Sequence, residues 1–256
     1  MPESDIDLLT RAAEDAGDIA LKYFRSDPKK WDKGDGAGPV TEADLAVDAM
    51  LKDRLMAARA GFGWLSEETE DNADRLGKKQ VFIIDPIDGT RSFIAGEKTW
   101  AHALAMVEDG RPTAAVVYLP AQEKMYLATT DFARLNGRDI RASGQETVEG
   151  ADILAHKSFE ESRNWRQNVP GFRRHFRPSL AYHMTLVAEG RFDAMVTLRD
   201  AWEWDIVAGT LIAEVAGATV SDRHQKRLLF NSRRGKLDGV VVANPRLHGD
   251  LKSRLR

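Results

Sequence analysis

The run from Ile83 to Phe93, Ile-Ile-Asp-Pro-Ile-Asp-Gly-Thr-Arg-Ser-Phe, holds the residues best suited to chemistry. Val81 to Asp85 is a short apolar run ending in a carboxylate and reads as a buried strand. Pro86 has no N–H to give a ladder, so the chain is expected to leave the sheet there. Asp88 follows, then the small residues Gly89 and Thr90. Two carboxylates at a strand end suit a hard cation. A helix opening at Gly89-Thr90 would aim free backbone N–H groups at an anion. Carboxylates and an anion repel unless a metal lies between them, which is the logic of Mg²⁺-assisted phosphate chemistry. A plainer reading stands beside this one. Asp-Pro and Asp-Gly are common turn dipeptides, and Asp88 could cap a helix.

Other acidic residues are ambiguous by themselves. Glu67 and Glu68 follow the strand-like Gly-Trp-Leu-Ser and read as a solvated loop, unless Glu67 supplies a third carboxylate to the aspartates. Thr41 and Asp44 fit a helix capping box. Asp205 stands before the apolar stretch Ile206 to Ala218 and reads as a helix cap. His102, His156, His175 and His183 show no ligand spacing and read as ordinary; Lys33 in its glycine-rich loop could contact a phosphate, and an exposed solvated lysine is the plainer reading. The basic run Arg173 to Arg177 and the group Arg233, Arg234 and Lys236 could be interaction patches, and solvated faces are the plainer reading. With 0 cysteines, disulfides, thiolate metal sites and a cysteine nucleophile drop out. No Walker loop, nucleophile elbow or dinucleotide fingerprint is present.

The elements that must position these residues follow from periodicity. Ile6, Leu9, Ala13, Ala16, Ala20 and Tyr23 predict an amphipathic helix from about Asp5 to Phe24. Residues 31–39 read as a loop. Thr41 opens a second helix with Val47, Met50, Leu51 and Leu55 inward. Strands are expected at Ala101–Val107, Thr113–Tyr118 and Met125–Ala128, the first two joined by a hairpin at Glu108-Asp109-Gly110. A polar stretch from Asn136 to Gly150 suggests a boundary near residue 140, giving segments 1–140 and 141–256. The second segment alternates: strand near Ile153, helix Leu180–Ala188, strand Phe192–Thr197, helix Asp205–Ala216, strands Ala218–Ser221 and Val240–Ala243. That alternation argues for an α/β layer arrangement. The chain has 256 residues, 43% of them hydrophobic, and a net charge of −3, which speaks against a phosphate-neutralising surface for nucleic-acid polymers. No stretch reaches the length of a membrane helix. The N-terminus has no secretory pattern, and a cytoplasmic location is the default.

Taken together, the motifs resemble the inositol monophosphatase superfamily of Mg²⁺-dependent, lithium-sensitive phosphatases. Leu65-Ser66-Glu67-Glu68, Asp85-Pro86-Ile87-Asp88-Gly89-Thr90 and Trp204-Asp205 match in the expected order, with Val40-Thr41-Glu42-Ala43-Asp44 as a weaker fourth match. The resemblance implies an αβαβα five-layer sandwich, with the active site between an N-terminal α+β part and a C-terminal α/β part. It implies that Glu67, Asp85 and the Ile87 carbonyl hold one Mg²⁺, that Asp85, Asp88 and Asp205 hold a second, and that a third, looser ion uses Glu67. Gly89 and Thr90 would bind the phosphate through backbone N–H groups. Thr90 and Asp44, with Glu67, would orient and deprotonate the attacking water. Asp88, Asp205, Ser179 and His183 would complete the substrate contacts. A homodimer is common in the family.

The substrate implied is a small phosphate ester. Leu-Ser-Glu-Glu and Leu186-Val187-Ala188-Glu189-Gly190 are similar to the 3′(2′),5′-bisphosphate nucleotidase branch, which releases phosphate from 3′-phosphoadenosine 5′-phosphate. Inositol-1-monophosphatase and sugar bisphosphatase are the alternatives. A non-catalytic metal- or phosphate-binding regulator is the alternative of another class. Pro178-Ser179 stands where the family has a Gly-Ser pair, His183 where those nucleotidases carry Lys, and Val207 where a small residue is usual.

Overall fold

The structure, a computed structural model, describes residues 3–34 and 38–256. In chain order the elements are α1 (Asp5–Tyr23), β1 (Lys30–Asp32), β2 (Pro39–Thr41), α2 (Glu42–Ala58), β3 (Gly63–Ser66), β4 (Gln80–Asp88), α3 (Thr90–Ile94), β5 (Ala101–Glu108), β6 (Arg111–Leu119), β7 (Lys124–Thr129), β8 (Ala133–Leu135) and β9 (Arg138–Asp139). They continue with β10 (Asp152–Ala155), β11 (Arg173–His175), α4 (Leu180–Ala188), β12 (Ala194–Thr197), β13 (Ala201–Trp202), α5 (Glu203–Val215), β14 (Thr219–Ser221), β15 (Lys236–Leu237), β16 (Val240–Ala243) and α6 (Pro245–Arg254).

Two sheets organise the layers. Strands β3 to β9 form a seven-stranded sheet in sequence order, and the second sheet runs β11-β10-β12-β16-β14. Only β3 pairs parallel to its neighbour in the first sheet; the rest is an antiparallel meander. Alternation along β4 shows what covers each face. Phe82 and Ile84 pack with α1 and α2, whereas Val81 and Ile83 pack with α4 and α5. Helices α4 and α5 therefore sit between the two sheets, and a third apolar cluster, including Leu247 and Leu251 of α6, covers the far face of the second sheet. The result is the αβαβα layering.

Local chemistry explains the elements nearest the site. Thr41 and Asp44 form a reciprocal capping box at the start of α2. The β5–β6 turn places Asp109 and Gly110 at φ 48° and 76°, the left-handed pair a tight hairpin needs. Helix α1 presents Gly17 to β6, where an added Cβ would lie 2.7 Å from the Tyr118 ring.

Four expectations are corrected. Part of the loop expected at 31–39 is an antiparallel ribbon, β1 with β2; its residues 35–37 lie outside the described residues. Pro86 does break the ladder, but β4 does not end there. Asp85 pairs with Ala103, Pro86 and Ile87 form a bulge without ladder partners, and Asp88 rejoins opposite Ala101. Asp205 does not cap α5: Trp202 is the N-cap residue, and Asp205 lies in the first turn. Asp88 does not cap α3 either, because Gly89 occupies that position.

Candidate active site

Three carboxylates converge from separate elements. The β4 alternation turns Asp85 toward the α5 face, the bulge brings Asp88 beside it, and the first turn of α5 supplies Asp205. Each offers an oxygen, and these oxygens lie within 4.8 Å of one another. Asp85 Oδ1 is buried and has no hydrogen-bond partner among the described residues. Asp88 Oδ2 accepts from Ser179 Oγ and from the Ala181 backbone N–H, both at 2.7 Å. Asp88 thus holds the start of α4 rather than α3, and its other oxygen remains available.

Burial, then repulsion from Glu67 and Asp88, pushes Asp85 well above the usual carboxylate range. Burial, then Asp88 and Glu67, does the same to Asp205. Burial raises Asp88 to about 6 against the hydrogen bonds from Ser179 and Ala181. Buried like charges with an unpartnered oxygen call for a cation. An all-oxygen donor set suits a hard one such as Mg²⁺.

Next to this cluster lies a hydroxyl–carboxylate pair. Thr90 Oγ1 is 3.1 Å from Asp44 Oδ1 and 3.1 Å from the Ile87 carbonyl oxygen. Asp44 Oδ2 accepts from the Thr41 N–H at 2.8 Å and from Thr41 Oγ1 at 2.6 Å. One carboxylate both closes the capping box and faces Thr90, so the helix start fixes its direction. Burial raises the Asp44 pKa.

A cavity of about 680 Å³ brings together Glu67, Asp85, Ile87, Asp88, Gly89, Thr90, Ser179, His183 and Asp205. Glu67 shares this cavity but stands outside the close three-carboxylate group. Its loop is tethered by Asp48 of α2, which accepts from Ser66 Oγ at 2.5 Å and Thr69 Oγ1 at 2.6 Å. Gly89 has φ 98°, and an added Cβ would lie 3.1 Å from the Thr99 carbonyl. Ser179 caps α4 and points its hydroxyl to Asp88. His183 is not the cation a phosphate contact would want. Its Nε2 lies 3.0 Å from the backbone N and 2.5 Å from the O of Arg177, and burial lowers its pKa to about 4.

Comparison with known proteins gives the family. The family model described as "Inositol monophosphatase family" matches residues 1–255. The chain belongs to the inositol monophosphatase family. It is 33% identical to an inositol-1-monophosphatase of Rhizobium meliloti, over 72% of this chain and 71% of that one. It is 29% identical to a histidinol-phosphatase of Mycobacterium tuberculosis, over 100% and 99% of the two chains. The crystal structure of the extragenic suppressor protein suhB from Bartonella henselae superposes with a TM-score of 0.80 at 27% identity, covering 96% of each chain.

Within this inositol monophosphatase fold, sequence reasoning missed several groups around the site. Lys33 is not a solvated lysine: its side chain is 18% exposed, and Nζ donates to Glu67 at 2.8 Å and Glu68 at 2.7 Å. Two adjacent acids were the only signal for it. His102 is fully buried beneath the β4 bulge, its Nδ1 against the Pro86 carbonyl, and its pKa falls to about 4 through burial. Its in-register place on an apolar strand hinted at burial only. Glu203 is buried and accepts from the N–H groups of Asn231 at 2.6 Å and Ser232 at 2.8 Å, while buried Arg75 holds Asn231 Oδ1 at 2.7 Å. That network braces the first turn of α5, which carries Asp205. Arg177, read as part of a solvated run, lines the cavity.

Proposed function

We propose that this chain is a Mg²⁺-dependent phosphomonoesterase and, more narrowly, that it acts on 3′(2′),5′-bisphosphate nucleotides. The observation that carries the first part is the convergence of Asp85, Asp88 and Asp205 beside the Thr90–Asp44 pair. The narrower part rests on the Leu-Ser-Glu-Glu resemblance and on the arginines that line the cavity. Relatives named for inositol monophosphate and histidinol phosphate hydrolysis support a phosphatase without choosing that substrate.

The residues divide the work. Asp85, Asp88 and Asp205, with Glu67 and the Ile87 carbonyl at the margin, would hold Mg²⁺, which supplies Lewis-acid stabilisation of phosphoryl charge and a lowered pKa for the attacking water. Thr90 Oγ1, donating to Asp44, keeps a lone pair facing the cavity for a hydrogen of that water. Asp44, held by Thr41, takes the Thr90 proton as Thr90 takes one from the water, the new O–P bond forms and the ester P–O bond breaks, and the departing oxygen is protonated by solvent. The backbone N–H groups of Gly89 and Thr90, at the start of α3, would bind the phosphate. Ser179 keeps Asp88 turned into the site. Glu67 stays near the cluster through its loop tether to Asp48.

The test is phosphate release with Mg²⁺ from 3′-phosphoadenosine 5′-phosphate, inositol 1-phosphate and fructose 1,6-bisphosphate. A preference in kcat/KM for the nucleotide is the expected result. A preference for inositol 1-phosphate removes the narrower reading, and no release from any phosphate ester removes both.

A further inference from the structure

We infer that the mouth of the cavity, through Arg91, Arg177 and Arg199, selects phosphate esters that carry a second anionic group away from the scissile phosphate. This rests on the phosphomonoesterase reading and adds a rule of substrate class and the residues that impose it.

The cavity carries both signs of charge. Its carboxylates Glu67, Asp85, Asp88 and Asp205 belong to the cation site, whereas three guanidinium groups also line it. Among the described residues none of the three forms an ion pair with a carboxylate. Had they served to neutralise the acidic cluster, they would contact it. Instead Lys33 takes Glu67 and Glu68. The other two acids on the cavity wall are engaged elsewhere: Asp200 accepts from Arg234 at 2.7 Å, and Glu97 accepts from Ser92 Oγ at 3.0 Å.

The arginines are also partly pre-set. Arg177 is half-buried, donates Nη1 to the Phe176 carbonyl at 2.7 Å, and lies 5.7 Å over the Phe192 ring. Arg91 follows the Gly89-Thr90 turn and packs toward the β1–β2 ribbon, where a Cβ on Gly38 would stand 3.6 Å from its Nη2. Arg199 is exposed on the connection between β12 and β13 and makes no side-chain hydrogen bond among the described residues. A guanidinium fork without a carboxylate partner, beside a phosphate-hydrolysing centre, matches a phosphate or carboxylate on the leaving group. His183 cannot supply this charge, since it is buried and tied to the Arg177 backbone. A polyol ester such as inositol 1-phosphate offers the arginines hydroxyl acceptors but no second anion.

Matched substrates isolate the effect. With Mg²⁺, kcat/KM is measured for adenosine 3′,5′-bisphosphate against adenosine 3′-monophosphate, and for fructose 1,6-bisphosphate against fructose 1-phosphate. Within each pair the scissile ester is the same and one remote anion differs. We expect the bisphosphate to be favoured by roughly tenfold or more in at least one pair, mainly through KM. We expect that ratio to shrink as salt rises from low to high ionic strength. Arg91→Gln, Arg177→Gln and Arg199→Gln should each move the ratio toward one. Arg91 and Arg199 are exposed, so their variants keep the assignment testable if the Arg177 variant does not fold. A ratio near one in both pairs overturns the selection rule while phosphate release keeps the phosphomonoesterase reading. A large ratio that survives all three substitutions overturns the arginines' role. No release from any ester, p-nitrophenyl phosphate included, overturns both readings.

Discussion

Asp88 shows why single residues here carry more than one task. One oxygen holds Ser179 and the start of α4, and the side chain still joins the three-carboxylate group. Asp88→Asn keeps the shape and an acceptor for those hydrogen bonds but removes the charge. Turnover is expected to fall by on the order of a thousandfold or more with the fold retained, read as phosphate release beside a circular-dichroism melt. Substantial activity would take Asp88 out of the cation site. Thr90→Ala tests a different role. Thr90 faces Asp44 rather than the aspartate cluster, so kcat should drop roughly a hundredfold while the Mg²⁺ concentration for half-maximal rate changes little. A pure loss of Mg²⁺ response would move Thr90 into the cation site. At this scale the sequence was informative where spacing was short, as in Asp85, Asp88 and the Thr41–Asp44 box. It was silent on Lys33 and Arg177, because a charged side chain looks the same in sequence whether it is solvated or turned inward. The partners of Lys33 lie 34 and 35 residues away.

Elements position the site through a few backbone features. The turn after β4 needs φ 98° at Gly89, and the space beyond its Cα is filled by the Thr99 carbonyl and Trp100. Gly89→Ala should cost about 1–3 kcal/mol, seen as a lower urea midpoint at unchanged slope, and it should reduce activity beyond what the stability loss explains. An unshifted midpoint would mean that the turn relaxes freely. Elements with strong periodicity were legible. Helix α4 spans Leu180–Ala188 as expected, and the Asp109-Gly110 turn sits where its residue types demand. Ribbon β1–β2 was not, since all three residues of β1 are exposed and no in–out alternation marks it. Helix α6 was hidden by its polarity: only Leu247, His248 and Leu251 are buried, although Asn244-Pro245 is a proper helix start. Strand β11, Arg173–His175, is a polar edge held by pairing with β10 rather than by its own pattern.

At the scale of the whole molecule, the cavity lies where the α4–α5 layer meets the end of β4, so filling the proposed cation site is expected to raise global stability. Asp88, raised to about 6, and Glu68, raised to about 7 mainly by burial, bind protons more tightly folded than unfolded. By linkage their contribution to stability falls as pH rises from about 4 through 6 for Asp88 and from about 4.5 through 7 for Glu68. His102 and His183, both lowered to about 4, act in the opposite sense, favouring the fold as pH rises through about 4 to 6.5. A bare pH melt therefore mixes the two, and the difference with and without Mg²⁺ separates them. Below pH 6 the cation must displace a proton from Asp88, and near pH 8 that carboxylate is already ionised. Mg²⁺ at 100 times its dissociation constant adds about 2.7 kcal/mol, which is roughly 5–10 °C in Tm for a chain of this size. The increment should be largest near pH 8, shrink toward pH 5.5, and be mostly lost in Asp85→Asn. An increment that does not vary with pH would show that Mg²⁺ binds away from these carboxylates. One that survives Asp85→Asn would show that the orphaned Asp85 oxygen is not what the cation satisfies.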